Sequence, residues 1–321
     1  MKKKIIIISG DPNSINSEII YKSWKKLNPA VKKNIYIISS YDLLKKQFRI
    51  LKYKIRLKKV KNINELRNNS DLKIIDIDLK FKNPFNVARK PASRFILKSL
   101  NLGHKLSLDK KNVFGLINCS IDKNLLKNKF MGVTEYLANK CKIKRDTEVM
   151  LISNEKLSVS PITTHLDIYK IARKLNTSSI IKKIKIINLW FKKNLKRRPI
   201  IAVLGLNPHN AEMKKNSEER KIILPSILKL KKQGIKVEGP LVADTIFMNN
   251  YKNFDVIVGM YHDQVIAPFK TIYKFNAVNL TLGLKYLRVS PDHGTATNII
   301  SKNKANPYSL IKCINTLIKF G

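Results

Sequence analysis

An α/β fold built on a largely parallel sheet is the architecture this sequence predicts, and three observations predict it. Short β-branched runs alternate with longer stretches of helical periodicity along the chain. The short runs are almost continuously apolar, the pattern of strands covered on both faces. With 321 residues, the chain is long enough for one large domain or two lobes with substantial cores.

The predicted strands are 5–8, 35–38, 73–77, 113–117, 149–152, 200–204, 256–258 and 277–280. Helices are expected at 17–27, where Ser17 offers a cap and Ile19, Ile20 and Trp24 share a face, and at 177–195. Others are expected at 217–233, with Gly234 as its stop, and from Pro307 to about Lys319. The Lys-rich stretch 45–63 reads as a solvated helix or an edge strand.

The formal charge is +42, with 64 basic residues against 22 acidic. Only 11 of the basic residues are Arg, and the lysines run from Lys2 to Lys319 without gathering in one arm. Nucleic-acid recognition needs a patch or stripe rich in bidentate groups. The charge is therefore read as compositional drift that favours Lys, Ile and Asn, and no nucleic-acid partner is expected. Three cysteines, Cys119, Cys141 and Cys313, form no C-x-x-C pair, which argues for a reducing, cytoplasmic setting. The apolar stretch 5–8 is shorter than the roughly 7–15 residues of an export signal, and Asp11 follows closely. No run of about 18 apolar residues is present, so no membrane span is expected.

No G-x-G-x-x-G, Walker A, H-E-x-x-H or G-x-S-x-G signature occurs. The five histidines are more informative. His165 lies in PITTH, after an apolar stretch; His209 lies in GLNPHN and His262 in YHDQ, each directly after a predicted strand. Loops beyond the carboxyl ends of parallel strands are where α/β proteins carry their sites. Three neutral imidazoles converging there would hold a divalent metal with positions left open; separately, they would be ordinary loop histidines. Lys270, Asn279 and Arg288 follow His262 at spacings of eight, nine and nine. A point charge and a bidentate fork suit a phosphate and a carboxylate. The segment 288–296, RVSPDHGTA, reads as a turn and helix start able to receive a phosphate, or as an ordinary capped loop.

The blocks ITTH, GLNPHNAE, GPLVADTIF, YHDQVIAPFK, VNLTLGL and RVSPDHGTA resemble, in order and spacing, the signature blocks of the 4-hydroxythreonine-4-phosphate dehydrogenase family. The resemblance is strong over 160–300. It implies an α/β/α sandwich like that of isocitrate and isopropylmalate dehydrogenases, with two lobes and the site between them. The lobes would be about 1–125 plus 295–321, and 126–294, the second carrying most site residues. It also implies a homodimer with composite active sites and NAD or NADP bound without a Rossmann fingerprint. His165, His209 and His262 would be ligands of a divalent metal (Zn, Mg, Mn or Co), one of them contributed across the dimer interface. Thr134, Lys270, Asn279 and Arg288 would bind substrate, and Asp244 would be an acidic residue near the metal. The implied reaction is oxidation and decarboxylation of 4-phosphooxy-L-threonine in vitamin B6 synthesis. Two alternatives stay open: a paralogue acting on a phosphorylated four-carbon sugar acid, and an inactive basic binding protein that keeps the fold.

The N-terminal half departs from the family pattern. Its glycine-rich opening, G-E-P-A-G-I-G-P-E, reads GDPNSINSE at 10–18, and its A-L-V-T-x-P-I-x-K block reads GLINCSIDK at 115–123. Its G-H-T-E reads Gly132, Val133, Thr134, Glu135, so a hydrogen-bonding His is replaced by Val133, with Asn128 or Lys129 as neighbours able to take over. A charged hydrogen bond is worth about 1.5–3 kcal/mol. Val133→His is therefore expected to raise kcat/KM on 4-phosphooxy-L-threonine by roughly ten- to a hundredfold. Unchanged steady-state kinetics would show that the substitution is silent and remove the case for a changed substrate.

Overall fold

A computed structural model describes residues 3–65, 71–126, 132–143, 147–248, 250–274 and 276–321. The chain divides into two compact units, one of 1–142 and 284–321, the other of 143–283. These divisions fall at 142/143 and 283/284, where 125/126 and 294/295 were expected, so Thr134 and Arg288 belong to the first unit. Strands are numbered along the chain.

The first unit holds β1 (Lys4–Ile8), β2 (Ile35–Ser39), β3 (Leu57–Val60), β4 (Leu72–Asp76), β5 (Val113–Asn118) and β12 (Arg288–Pro291). Their order is β3-β4-β2-β1-β5-β12, and every pairing is parallel. Ile5, Ile6, Ile7 and Ile8 are all buried. Side chains of a strand alternate between faces, so both faces must be covered. The helix Arg89–Ser107 packs on β1, β2 and β5, and Tyr308–Phe320 packs on β5 and β12. Arg89–Ser107 went unpredicted, although Ala92, Phe95, Ile96, Ser99, Leu100 and Gly103 recur at helical spacing and are all buried. Its Pro91 is tolerated in the first turn. Gly103 lets it approach the sheet: a Cβ there would lie 2.7 Å from Ile8 Cδ1.

The second unit holds β6 (Val149–Ser153), β7 (Ser158–Pro161), β8 (Ile201–Leu204), β9 (Val237–Leu241), β10 (Val256–Gly259) and β11 (Val278–Leu282). Their order is β11-β6-β7-β10-β8-β9. The four strands β7, β10, β8 and β9 are parallel, whereas β6 runs antiparallel to both β11 and β7. The helix Thr177–Leu195 forms as predicted, its first turn capped by Asn176, whose side chain accepts from Ser179 N at 2.9 Å. Among the described residues, no helix is long and apolar enough to cross a membrane.

Several expectations need correcting. The first helix, Asn16–Lys26, is not capped by Ser17, which lies inside it; Ser14 Oγ accepts from Asn16 N instead, at 3.2 Å. The stretch 217–233 is not one α-helix. It opens with a π-helical turn, Glu219–Ile223, and becomes α-helical from Leu224 to Lys232, because Pro225 has no N–H to close the turn before it. The Lys-rich stretch, by contrast, holds both elements read for it, the end of one helix, Tyr41–Ile50, and then the edge strand β3. Residues 288–291 form a buried strand instead of a turn, and only a short 3₁₀ segment, Thr297–Ile299, follows.

Lys73 lies inside the first unit on β4, almost wholly buried, its Nζ donating to Lys32 O at 3.2 Å. Burial, with help from nearby Lys4, pushes its ammonium down to about 8 from 10.5. Below about pH 8 the ammonium is charged in both states. Between about 8 and 10.5 the unfolded chain holds the proton that the folded chain has lost, so folding stability rises with pH. Chemical denaturation should therefore show the stability of Lys73→Met, relative to wild type, falling from pH 7.5 to pH 10.5. A difference that does not change over this range would contradict the buried charge.

Candidate active site

The strands β7, β10 and β8 are neighbours and parallel, so the segments after them leave the same edge of the sheet. Pro161 pairs with Gly259, and Val258 with Val203. The three predicted histidines follow on these segments. His165 is exposed and has a left-handed backbone, φ 46°. His262 lies not in a loop but at the first position of the helix His262–Tyr273. The imidazoles of His165 and His262 are 6.1 Å apart between ring centroids. Asp263 Oδ1 holds His262 Nδ1 at 2.6 Å, which leaves Nε2 for another partner. His209 is exposed and opens a run of left-handed residues from His209 to Met213. An L-residue in that region costs about 1–2 kcal/mol, so the surroundings must hold the run in place.

A belt of hydrogen bonds links the three segments. Thr163 donates to Met260 O through its N–H (3.1 Å) and its Oγ1 (2.7 Å). Met260 N donates to Gln264 Oε1 at 2.6 Å, and Gln264 Nε2 donates to Gly205 O at 2.7 Å. Lys183, buried on the helix Thr177–Leu195, donates to Ile162 O at 2.6 Å. Glu219 Oε1 accepts from Leu206 N and Asn207 N, both at 2.8 Å. Burial pushes the Glu219 carboxyl up, but these N–H donors and the Asn207 side chain outweigh it and leave it below the ordinary range. Sequence reasoning missed Thr163, Lys183, Glu219 and Gln264. Thr163 and Gln264 sit inside the ITTH and YHDQ blocks and could have been flagged there. Nothing in the sequence separates Lys183 from the other lysines.

The remaining predicted site residues fall into two groups. Asp244 is exposed on a short helix, Ala243–Ile246, just after β9. Lys270 is exposed in the last part of the helix His262–Tyr273, about 12 Å of helical rise from His262. Asn279 is on β11, and its Oδ1 is buried with no partner among the described residues. In the first unit, Arg288 and Thr134 are brought together: Arg288 Nη1 donates to Thr134 Oγ1 at 3.3 Å, and its Nε donates to Asn118 Oδ1 at 2.7 Å. Burial pushes the Arg288 guanidinium down to about 10, so it keeps its charge at neutral pH. Asn118, which ends the apolar strand β5, was not anticipated. Val133 begins the helix Val133–Lys140 beside Thr134, while Asn128 and Lys129 lie outside the described residues.

A divalent metal was expected here. The donor set fits one in its chemistry: imidazoles on adjacent strand ends, two of them side by side, one oriented by a carboxylate. Among the described residues of one chain, no three His, Cys, Asp or Glu side chains gather closely enough to hold an ion.

The fold is of a kind found in metabolic dehydrogenases. Isocitrate dehydrogenase from Methylococcus capsulatus superposes with a TM-score of 0.51 at 12% identity, covering 99% of this chain and 85% of its own, a likeness of fold alone. Residues 31–317 match the family described as "Pyridoxal phosphate biosynthetic protein PdxA", and the chain belongs to that family. The 4-hydroxythreonine-4-phosphate dehydrogenase of Sulfurihydrogenibium sp. is 36% identical over 98% of this chain and 97% of its own length. That of Aquifex aeolicus is 34% identical over 99% and 98%. The crystal structure of the Klebsiella pneumoniae 4-hydroxythreonine-4-phosphate dehydrogenase superposes with a TM-score of 0.84 at 27% identity, covering 99% of each chain.

The belt makes Gln264 a test of how these segments are joined. Gln264→Leu keeps the bulk but strands the Met260 N–H and the Gly205 carbonyl. Urea denaturation is expected to show a loss of about 2 kcal/mol. A loss below about 0.5 kcal/mol would mean that water replaces both bonds without cost.

Proposed function

We propose that this chain oxidises the C3 hydroxyl of 4-phosphooxy-L-threonine, with the hydride passing to NAD or NADP. The resulting β-keto acid then loses CO2 to give 3-amino-2-oxopropyl phosphate. What supports the reading is the conjunction of family membership with three histidines on adjacent parallel strand ends. His165, His209 and His262 are the proposed ligands of a divalent cation, Zn, Mg, Mn or Co. When bound, it supplies positive charge beside the reacting oxygen.

The chain's own residues do the rest. Lys270 and Arg288 bind the anionic ends of the substrate, and Thr134 and Asn279 add hydrogen bonds, so that the C3 hydrogen is presented to the nicotinamide. Asn118 and Thr134 hold the Arg288 fork from one side. Asp244 is the carboxylate proposed to accept the hydroxyl proton. The protein is proposed to act in the cytoplasm as a homodimer with composite sites, by its likeness to the family.

The test is a panel of phosphorylated hydroxy acids, including a four-carbon sugar-acid 4-phosphate, assayed with NAD and NADP before and after chelation. Turnover of 4-phosphooxy-L-threonine is expected to be the fastest, to be abolished by chelation and to return on adding Zn, Mg, Mn or Co. Undiminished activity in the metal-free protein would defeat the metal assignment. A sugar-acid phosphate turned over faster would move the assignment to the paralogue reaction.

A further inference from the structure

His209 stands on an unusual piece of backbone. His209, Asn210, Ala211, Glu212 and Met213 have φ between 44° and 56°, five consecutive left-handed residues. Such a run lasts only where its neighbours over-determine it. The entry to the run is fixed by Glu219, ten residues further on, whose carboxylate is fully buried. Both main-chain N–H groups before Pro208, those of Leu206 and Asn207, donate to Glu219 Oε1. The Asn207 side-chain amide donates to Oε2 at 3.1 Å. The first residues of the run are fixed by Asn210, whose Nδ2 donates to Pro240 O at 2.9 Å. The packing leaves no slack: a Cβ on Gly205 would collide with Asn210 Oδ1 and lie 3.2 Å from Glu219 Oε1.

A buried carboxylate with this many N–H donors sets the direction of the chain into Pro208, where the ring fixes φ. Only one residue separates the Glu219-bound backbone from His209. We infer that Glu219 is a positioning residue for His209: through the backbone of Leu206 and Asn207 it fixes where this imidazole stands as a metal ligand. The inference rests on the reading of His209 as a ligand. It adds a carboxylate, on an element of its own, on which metal affinity depends. The role differs from that of Asp263, which touches a histidine ring directly.

Glu219→Gln tests it, since it removes the charge that strengthens the Leu206 and Asn207 N–H bonds, and the new NH2 cannot accept from the Asn207 amide. Metal-free wild type, Glu219→Gln, His209→Ala and the double variant are titrated with Co2+ and followed by visible absorption. Glu219→Gln is expected to weaken Co2+ binding by about 10–100-fold, the usual scale for a residue that orients a ligand. The double variant should bind no more weakly than His209→Ala, because the two act through one imidazole. Hydrogen exchange should quicken in 205–213 of Glu219→Gln and stay unchanged in β1, β2 and β5.

Unchanged Co2+ affinity in Glu219→Gln beside a weakened His209→Ala would overturn the inference, and so would additive losses or unaltered exchange in 205–213. Unchanged affinity in His209→Ala would instead overturn the three-histidine reading, and this role for Glu219 with it. If Glu219→Gln does not fold, Glu219→Asp draws the carboxylate back from the Leu206 and Asn207 N–H groups and is read by the same criteria.

Discussion

Met260 is where the second unit's three histidine segments are tied together. Its carbonyl accepts two bonds from Thr163, two residues before His165, and its N–H donates to Gln264, two residues after His262. Gln264 then reaches across to Gly205, where the segment carrying His209 begins. The parallel register of β7, β10 and β8 brings these segments to one edge. The side-chain bonds then hold them at fixed separations. Each is a modest interaction alone, but removing Gln264 strands two main-chain groups at once.

The two units manage charge in similar ways. In the first, Arg288 is buried, and Asn118 and Thr134 take up part of its donor fork. In the second, the buried Glu219 is held by N–H groups of Leu206 and Asn207. Both charges are kept where a neutral, well-packed residue would cost less to bury. Arg288 bonds Thr134, and Glu219 bonds the backbone two residues before His209, both residues that sequence reasoning had marked for function. Among the described residues, most lysines are exposed, unlike these two buried charges.

Much of this fold was legible in the sequence because its strands are buried on both faces and so read as unbroken apolar runs. β1, β2 and β5 are of that kind. The strands that escaped are those whose composition does not announce them: β7 carries two serines and ends in Pro161, β9 contains Gly239 and Pro240, and β12 opens with Arg288. His262 was expected in a loop because it directly follows a strand, yet it opens the helix His262–Tyr273, which also accommodates Pro268. The histidines could be chosen because they are few and follow strands. Their supports could not, since Gln264, Glu219 and Lys183 gain meaning only from partners distant in sequence, and a left-handed run such as 209–213 leaves no mark on composition.

In the proposed reaction the C3 hydrogen of a phosphorylated hydroxy amino acid passes to a nicotinamide. The most direct measurement uses 4-phosphooxy-L-threonine carrying deuterium at C3, turned over by the metal-loaded protein, with the reduced cofactor recovered and its isotopic mass determined. One deuterium is expected in each reduced nicotinamide, with one CO2 released alongside it. Reduced cofactor without deuterium, or loss of CO2 without cofactor reduction, would contradict the proposed reaction.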